Sequence, residues 1–298
     1  MKFAPTALAS AALAIVLALA AVPAAAKKAP PPPPPVPAGP TAPTDADWRT
    51  PDPQNVLVID TTKGRIVVEL SPAAAPQMTA RVRELTRAGF YNGRSFFRVI
   101  DNFMDQTGDP KDDGTGQSDK PNLPPEFMFR RGADTPITVI DNAEGVQWGY
   151  LGSLPVISQT MDLGLLTAAH KVNAFGAYCP GVLGAARSDD PASANSQFFL
   201  MRGPTPNLNQ KYTAFGATIS GLDVIRAIKA GGAGGVVTEP RDKMLTVRVL
   251  ADIPEAERPK VRVLDAGGPW FKVLIERARK EKVIGFTTCD IDLPGDVK

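Results

Sequence analysis

The chain has 298 residues, with 33 Lys plus Arg, 31 Asp plus Glu and a single His, for a formal charge of +2 at pH 7. That near-balance provides no basic surface able to neutralise several phosphates, so nucleic acid is excluded as a partner class. One His and two Cys rule out a His-rich or Cys-rich metal site, and any Ser-His-Asp or Cys-His relay would have to use His170.

Lys2, the uncharged apolar run 7–22 and the small residues Ala24, Ala25 and Ala26 predict a secretory leader over residues 1–26, with the mature chain starting at Lys27. The run is Ala-rich and a little short of the about 20 residues of a spanning helix. The expected location is therefore periplasmic or secreted, and no membrane contact is expected once the leader is cleaved. Cys179 and Cys289 then face an oxidising compartment, where a disulfide and two separate buried thiols both fit the sequence. Residues 27–53 include six consecutive prolines at 30–35. Such a stretch adopts extended polyproline II and reads as a linker, either a tether or a ligand for a proline-binding module.

Two β-rich runs, 56–60 and 66–70, flank Lys63 and Gly64 and predict a hairpin. Residues 76–88 predict a helix, with Pro76 in its first turn, Met78, Val82 and Leu85 on one face, and Gly89 as its stop. Short strand-like runs follow at 95–100, 182–186, 197–201 and 213–219. A second helix at 222–229 turns Val224, Ile225 and Ile228 inward. This is the pattern of an antiparallel sheet or barrel with few helices. Beyond residue 253, a strand-like run at 261–264 precedes a basic helix at 269–282 that carries Trp270, Phe271, Leu274 and Ile275. The reading is an extension packed on the main body. The alternative is a membrane-surface helix, because Arg277, Arg279, Lys280 and Lys282 cluster there.

If 95–100 is a regular strand, Phe96, Arg98 and Ile100 share one face. A cation between two large apolar residues requires a partner or a ligand. An arginine salt-bridged at the rim is the simpler alternative.

The run Phe96-Phe97-Arg98-Val99-Ile100, continuing through Phe103-Met104-Asp105-Gln106 to Gly108-Asp109, closely resembles the cyclophilin-type peptidyl-prolyl isomerase signature F-H-R-V-I-x-x-F-M-x-Q-x-G-D. Further matches follow in order: Gly64 to Leu70, Ala75-Pro76, Glu126-Phe127, Gly181 to Ala186, Ser196 to Phe199, Phe215-Gly216 and Gly221 to Ile225. Together they span about residues 55–249. The resemblance implies a mainly β fold, a closed eight-stranded antiparallel β-barrel capped by two α-helices. It would cover residues 54–253, with an insertion at about 130–178 and a C-terminal extension at 254–298. It also implies roles. Arg98 is the catalytic arginine, and Phe103, Met104, Phe199 and Leu208 form the proline pocket. Gln106, with Gln197 beside it, holds the substrate backbone. Ala186 and the backbone of Arg187 carry the residue before proline, and Tyr212 stands where many members have His. The implied partners are proline-containing polypeptides, and no cofactor or metal is implied.

The chemistry agrees with this composition. Amide resonance sets a barrier of about 18–20 kcal/mol to X-Pro rotation. A guanidinium against the prolyl nitrogen stabilises the twisted, pyramidal state more than the planar one, and Arg keeps its charge near apolar walls. The departures from the signature are Phe97 for His, Thr107 for a frequent Gly, Ala185 for Met, Arg187 for Asn, and Asn207 for the Trp linked to tight cyclosporin binding. The last implies weak cyclosporin binding. The insertion either shapes one end of the groove or packs elsewhere, against the tail. Asp109, Asp112, Asp113 and Asp119 miss calcium-loop spacing and read as a solvated loop. A module that binds proline peptides with little turnover is the alternative function.

Overall fold

The computed structural model describes residues 42–143, 145–282 and 285–298. The expected leader 1–26 and the prolines at 30–35 lie outside the described residues. None of the described helices is long and apolar enough to cross a membrane.

The strands are β1 (Trp48–Arg49), β2 (Val56–Thr61), β3 (Gly64–Leu70), β4 (Arg98–Ile100), β5 (Met104–Thr107), β6 (Phe129–Arg131), β7 (Thr138–Ala143) and β8 (Val146–Leu151). They continue as β9 (Leu154–Gln159), β10 (Val172–Gly176), β11 (Val182–Ala185), β12 (Phe198–Met201), β13 (Ala214–Ser220), β14 (Met244–Val249), β15 (Val261–Leu264) and β16 (Gly295–Val297). The helices are α1 (Pro76–Arg87), α2 (Leu222–Ala227) and α3 (Pro269–Glu281).

Eight strands form one curled antiparallel sheet in the order β14-β2-β3-β13-β11-β12-β5-β4. The expected barrel closure is not made. β4 is only three residues long, and the start of β14 meets not β4 but the chain before it, through the bridge Ser95–Lys243 and the backbone hydrogen bonds of Met244 with Gly93 and Arg94. Along the rest of that edge, the segment 231–241, with four glycines at its start, comes between, bridging Arg98 at Val236. The result is an open half-barrel. The same shortness corrects the alternation read from sequence. Phe96 and Val99 both enter the main core, whereas Arg98 and Ile100 lie outside it, because regular strand geometry begins only at Arg98.

The β2–β3 hairpin shows why its runs looked continuously apolar. Leu57 and Ile59 point into the main core with Ile66 and Val68. Val56, Val58 and Val67 point outward, against Leu250, Ile253, Val261 and Val263 of the C-terminal part. Both faces of this pleat are therefore buried, and a strand buried on both sides loses its polar alternation. α1 buries Met78, Val82 and Leu85 in the main core, as its spacing predicts. Its first free N–H groups, on Gln77 and Met78, donate to the Glu126 carboxylate at 2.9 Å each, a cap supplied from a distant loop.

The insertion is a five-stranded antiparallel sheet, β6-β10-β9-β8-β7. A third sheet, β1-β15-β16, joins the N-terminal segment to the extension, with Trp48 opposite Leu264. Linker character therefore ends before residue 44 rather than at Pro53. Arg49 makes a two-pronged ion pair with Glu69, at 2.8 and 2.6 Å, and also reaches Ser153 of the insertion. In α3 the apolar side chains Trp270, Phe271 and Ile275 are buried against Tyr150 and Leu264. Of the basic residues there, Arg279 of the helix pairs with Asp141, and Lys282 just past its end pairs with Asp290. The apolar face that a membrane-surface helix would need is occupied by protein. Cys179 and Cys289 form a disulfide that fastens the extension to the segment between β10 and β11.

Candidate active site

Register builds the site. Arg98 on β4 stands opposite Gln106 on β5, Gln106 opposite Phe199 on β12, and Phe199 opposite Gly184 on β11. One cross-strand row thus carries a cation, an amide, an aromatic ring and a gap. A one-residue slip in any of these strands would turn its member to the opposite face. Gly184 belongs in that row because it lacks a side chain: a methyl there would overlap the Phe199 ring and crowd Tyr178. Tyr178 stacks on Phe199 with centroids 5.9 Å apart and planes at 29°. Burial pushes the Tyr178 phenol well above its ordinary range, so this backing ring stays neutral.

The row opens on a cavity of about 90 Å³ lined by Arg98, Phe103, Met104, Gln106, Ala186, Arg187, Phe199, Leu208 and Tyr212. Nine of the ten residues singled out from sequence meet there. The tenth, Gln197, lines the adjoining cavity of about 400 Å³, whose wall includes Gly114, Gly116, Asn195 and Ser193. Gln106, Ala186 and Arg187 border both cavities. A polar relay crosses the wall. Arg98 Nη1 donates to Gln106 Oε1 at 3.1 Å, Gln106 Nε2 to Gln197 Oε1 at 2.9 Å, and Gln197 Nε2 to the Gly116 carbonyl at 2.7 Å. Arg98 Nε donates to the Gly234 carbonyl at 3.1 Å. Among the described residues Arg98 forms no ion pair, so the salt-bridged alternative does not hold.

Sequence reasoning missed three supports. Asp109, read as part of a solvated loop, is fully buried and accepts N–H bonds from Lys111 and Gly114 at 2.7 and 2.5 Å. It thereby shapes the loop whose carbonyls fix Gln197. Thr107, one of the departures from the signature, is buried and donates to the Ser95 carbonyl at 2.8 Å, tying β5 to the chain just before β4. The third support is the insertion. Its Phe129, Leu154, Val156 and Ala174 share a hydrophobic cluster with Met104 and Phe199, against which Phe103, Leu208 and Tyr212 also pack. None of the described insertion residues lines the 90 Å³ cavity. The insertion packs on the extension, as one reading has it, and backs the pocket wall only from behind. A change from apolar to apolar in such a wall carries no local motif, which is why no signal marked it.

Two measurements follow from this packing. Gly184→Ala is expected to drive the Phe199 ring into the cavity, at about 1–3 kcal/mol of overpacking, and to reduce turnover more than tenfold while the chain still folds. Steady-state kinetics with circular dichroism checks this, and unchanged KM and kcat would contradict it. Behind the row, burial pushes the Asp105 carboxyl up to about 7, although Arg202 lies 3.3 Å away. The unfolded chain releases this proton near pH 3.9, whereas the native state keeps it until about pH 7. Its contribution to stability is therefore full below about pH 3.9 and is lost as pH rises through about 7, roughly 4 kcal/mol at most. Asp105→Asn should flatten that part of the denaturation-versus-pH curve between pH 4 and 7, and an identical curve would refute the assignment.

Among the described residues no group of three or more His, Cys, Asp and Glu side chains is arranged to hold a metal ion. A cation donor, a fixed amide and an apolar slot suit the holding and twisting of a bond without covalent chemistry.

Residues 56–249 match the family model described as cyclophilin type peptidyl-prolyl cis-trans isomerase/CLD. A probable peptidyl-prolyl cis-trans isomerase of Brucella suis is 32% identical over 214 residues, covering 67% of this chain and 85% of the relative. A peptidyl-prolyl cis-trans isomerase-like 1 protein of Aspergillus oryzae is 30% identical over 199 residues, covering 66% and 96%. The crystal structure of cyclophilin AquaCyp293 from Hirschia baltica superposes with a TM-score of 0.76 at 31% identity, covering 84% of this chain and 93% of that one. The chain belongs to the cyclophilin-type peptidyl-prolyl cis-trans isomerases, and its activity is that of an isomerase. The share covered by AquaCyp293 exceeds the family-matched stretch, so part of the additional chain has counterparts there too.

Proposed function

We propose that the protein isomerises X-Pro bonds non-covalently, with the proline ring in the 90 Å³ cavity and Arg98 at the prolyl nitrogen. The observation that carries this is a guanidinium with no acidic partner, among the described residues, set in the wall of a cavity that also presents Phe103, Met104, Phe199 and Leu208. As the amide twists, resonance is lost and the nitrogen gains a lone pair. An N–H donor already in place stabilises that state without reorganising. Phe103, Met104, Phe199, Leu208 and Tyr212 provide the slot. Gln106, held by Gln197, anchors the backbone on one side while the other rotates. Ala186 and the Arg187 backbone support the residue before proline.

The substrates are proline-containing segments of exported proteins, whose X-Pro steps otherwise take tens to hundreds of seconds. The leader-like residues 1–26 and the Cys179–Cys289 disulfide both support a periplasmic or secreted location. Relaxation of a cis-enriched Ala-Pro peptide, followed with and without the protein, tests the activity. A rate no faster than buffer would overturn this reading and leave a binding module. Asn207 is exposed at the rim beside Leu208. Weak cyclosporin binding is expected, and Asn207→Trp should tighten it at least tenfold in a fluorescence titration, the indole supplying a large apolar contact.

A further inference from the structure

Arg187 is the only charged residue in the wall of the 400 Å³ cavity, whose other members are neutral Gln, Asn, Ser, Thr, Gly and Ala. Its guanidinium lies 4.4 Å over the Tyr212 ring and 5.7 Å from the Phe127 ring. Nε and Nη2 donate to the Lys211 carbonyl at 3.1 and 3.0 Å, and Nη1 donates to the Ser188 carbonyl at 2.7 Å. All these acceptors are neutral, and among the described residues Arg187 forms no ion pair. The side chains of Asp189, Asp190 and Lys211 nearby are exposed to solvent. A half-buried cation, held on two rings and lacking a carboxylate, therefore stands at the boundary between the two cavities.

A substrate with its proline ring in the small cavity must run its rotating X-Pro bond past Arg98 and Gln106. That path crosses the wall formed by Gln106, Ala186 and Arg187, so the neighbouring residue is laid against Arg187. We propose that Arg187 makes the enzyme select substrates with an acidic residue immediately before the proline. This rests on the proposed seating of proline in the 90 Å³ cavity. A carboxylate there gains a charge-assisted hydrogen bond from the Nη2 N–H that the neighbouring backbone carbonyls leave free. An ammonium at the same place meets like charge with no compensating acid in the wall.

The test is kcat/KM for three peptides that differ only in that residue, Glu-Pro, Gln-Pro and Lys-Pro, on the full chain at low salt. The wild type is expected to rank them in that order, with Glu over Lys by roughly three- to tenfold, shrinking toward unity at about 0.5 M salt. Arg187→Glu should invert the order, and Arg187→Lys should keep it. Any general loss of activity cancels in the ratio within one variant, and intrinsic differences among the peptides cancel when that ratio is compared between wild type and variant. A wild-type ratio near one, or an order unchanged in Arg187→Glu, overturns the inference while leaving the isomerase standing. If the wild type turns over none of the three, the seating of proline fails. Chemical-shift titration with the same peptides then decides the charge preference alone: tighter Glu-Pro binding supports it, and equal binding overturns it. Should Arg187→Glu not fold, the wild-type ranking and its salt dependence carry the same decision.

Discussion

Arg98→Ala is expected to lower kcat/KM for an Ala-Pro peptide by roughly a hundred- to a thousandfold, the usual loss when one preorganised transition-state donor is removed. The fold should survive, because Arg98 is only half-buried and gives up two hydrogen bonds, to the Gly234 carbonyl and to Gln106, with no stranded counter-charge. Arg98→Lys should recover little of the loss: an ammonium keeps the charge but cannot span Gln106 and the prolyl nitrogen with one planar fork. Cis-to-trans relaxation kinetics, with thermal melts on the same samples, separate chemistry from folding. A loss below about threefold in a folded Arg98→Ala protein would move the chemistry away from this residue.

The second large effect is on stability. The disulfide joins residues 110 apart in sequence. Removing a cross-link that closes a loop of that size releases about 4–5 kcal/mol of denatured-state entropy in the chain-entropy model. The paired variant Cys179→Ala with Cys289→Ala is therefore expected to melt roughly 10 °C or more below the wild type. The extension would then rely on its apolar contacts, among them Phe271 edge-on to Tyr150 at 5.4 Å and the Val261 and Val263 packing on β2 and β3. Turnover measured well below the transition should fall less than stability, because neither cysteine lines the pocket. A melting shift under about 2 °C would show that packing alone holds the extension.

The signature around Arg98 was legible because it is short and local. The run on β4, β5 and the turn between them supplies both a recognisable string and four pocket residues, Arg98, Phe103, Met104 and Gln106. The helix α1 was legible for a similar reason: Met78, Val82 and Leu85 recur at helical spacing, and Pro76 and Gly89 bound the run. The closed barrel was not confirmed, since closure depends on whether strand edges far apart in sequence are long enough to pair. The three-residue β4 and the glycines that follow residue 230 left that edge to isolated bridges. The expected linker boundary at Pro53 was displaced because Trp48 and Arg49 gain strand partners only when the extension is in place.

The sequence by itself determined which residues the protein has for its chemistry: an arginine, two glutamines and a set of Phe, Met, Leu and Tyr side chains, with a single His and no recurrent acid–base pattern. These are properties of composition and near-neighbour spacing, which the chain carries before it folds. Tertiary structure decided that Gly184 leaves the space Phe199 occupies, that Asp109 and Gln197 fix Gln106, that the insertion backs the pocket, and that Cys179 meets Cys289. Each of these is a contact across tens of residues, set by strand register and by which apolar faces remain to be covered. Such contacts depend on the whole set of paired strands rather than on any local run.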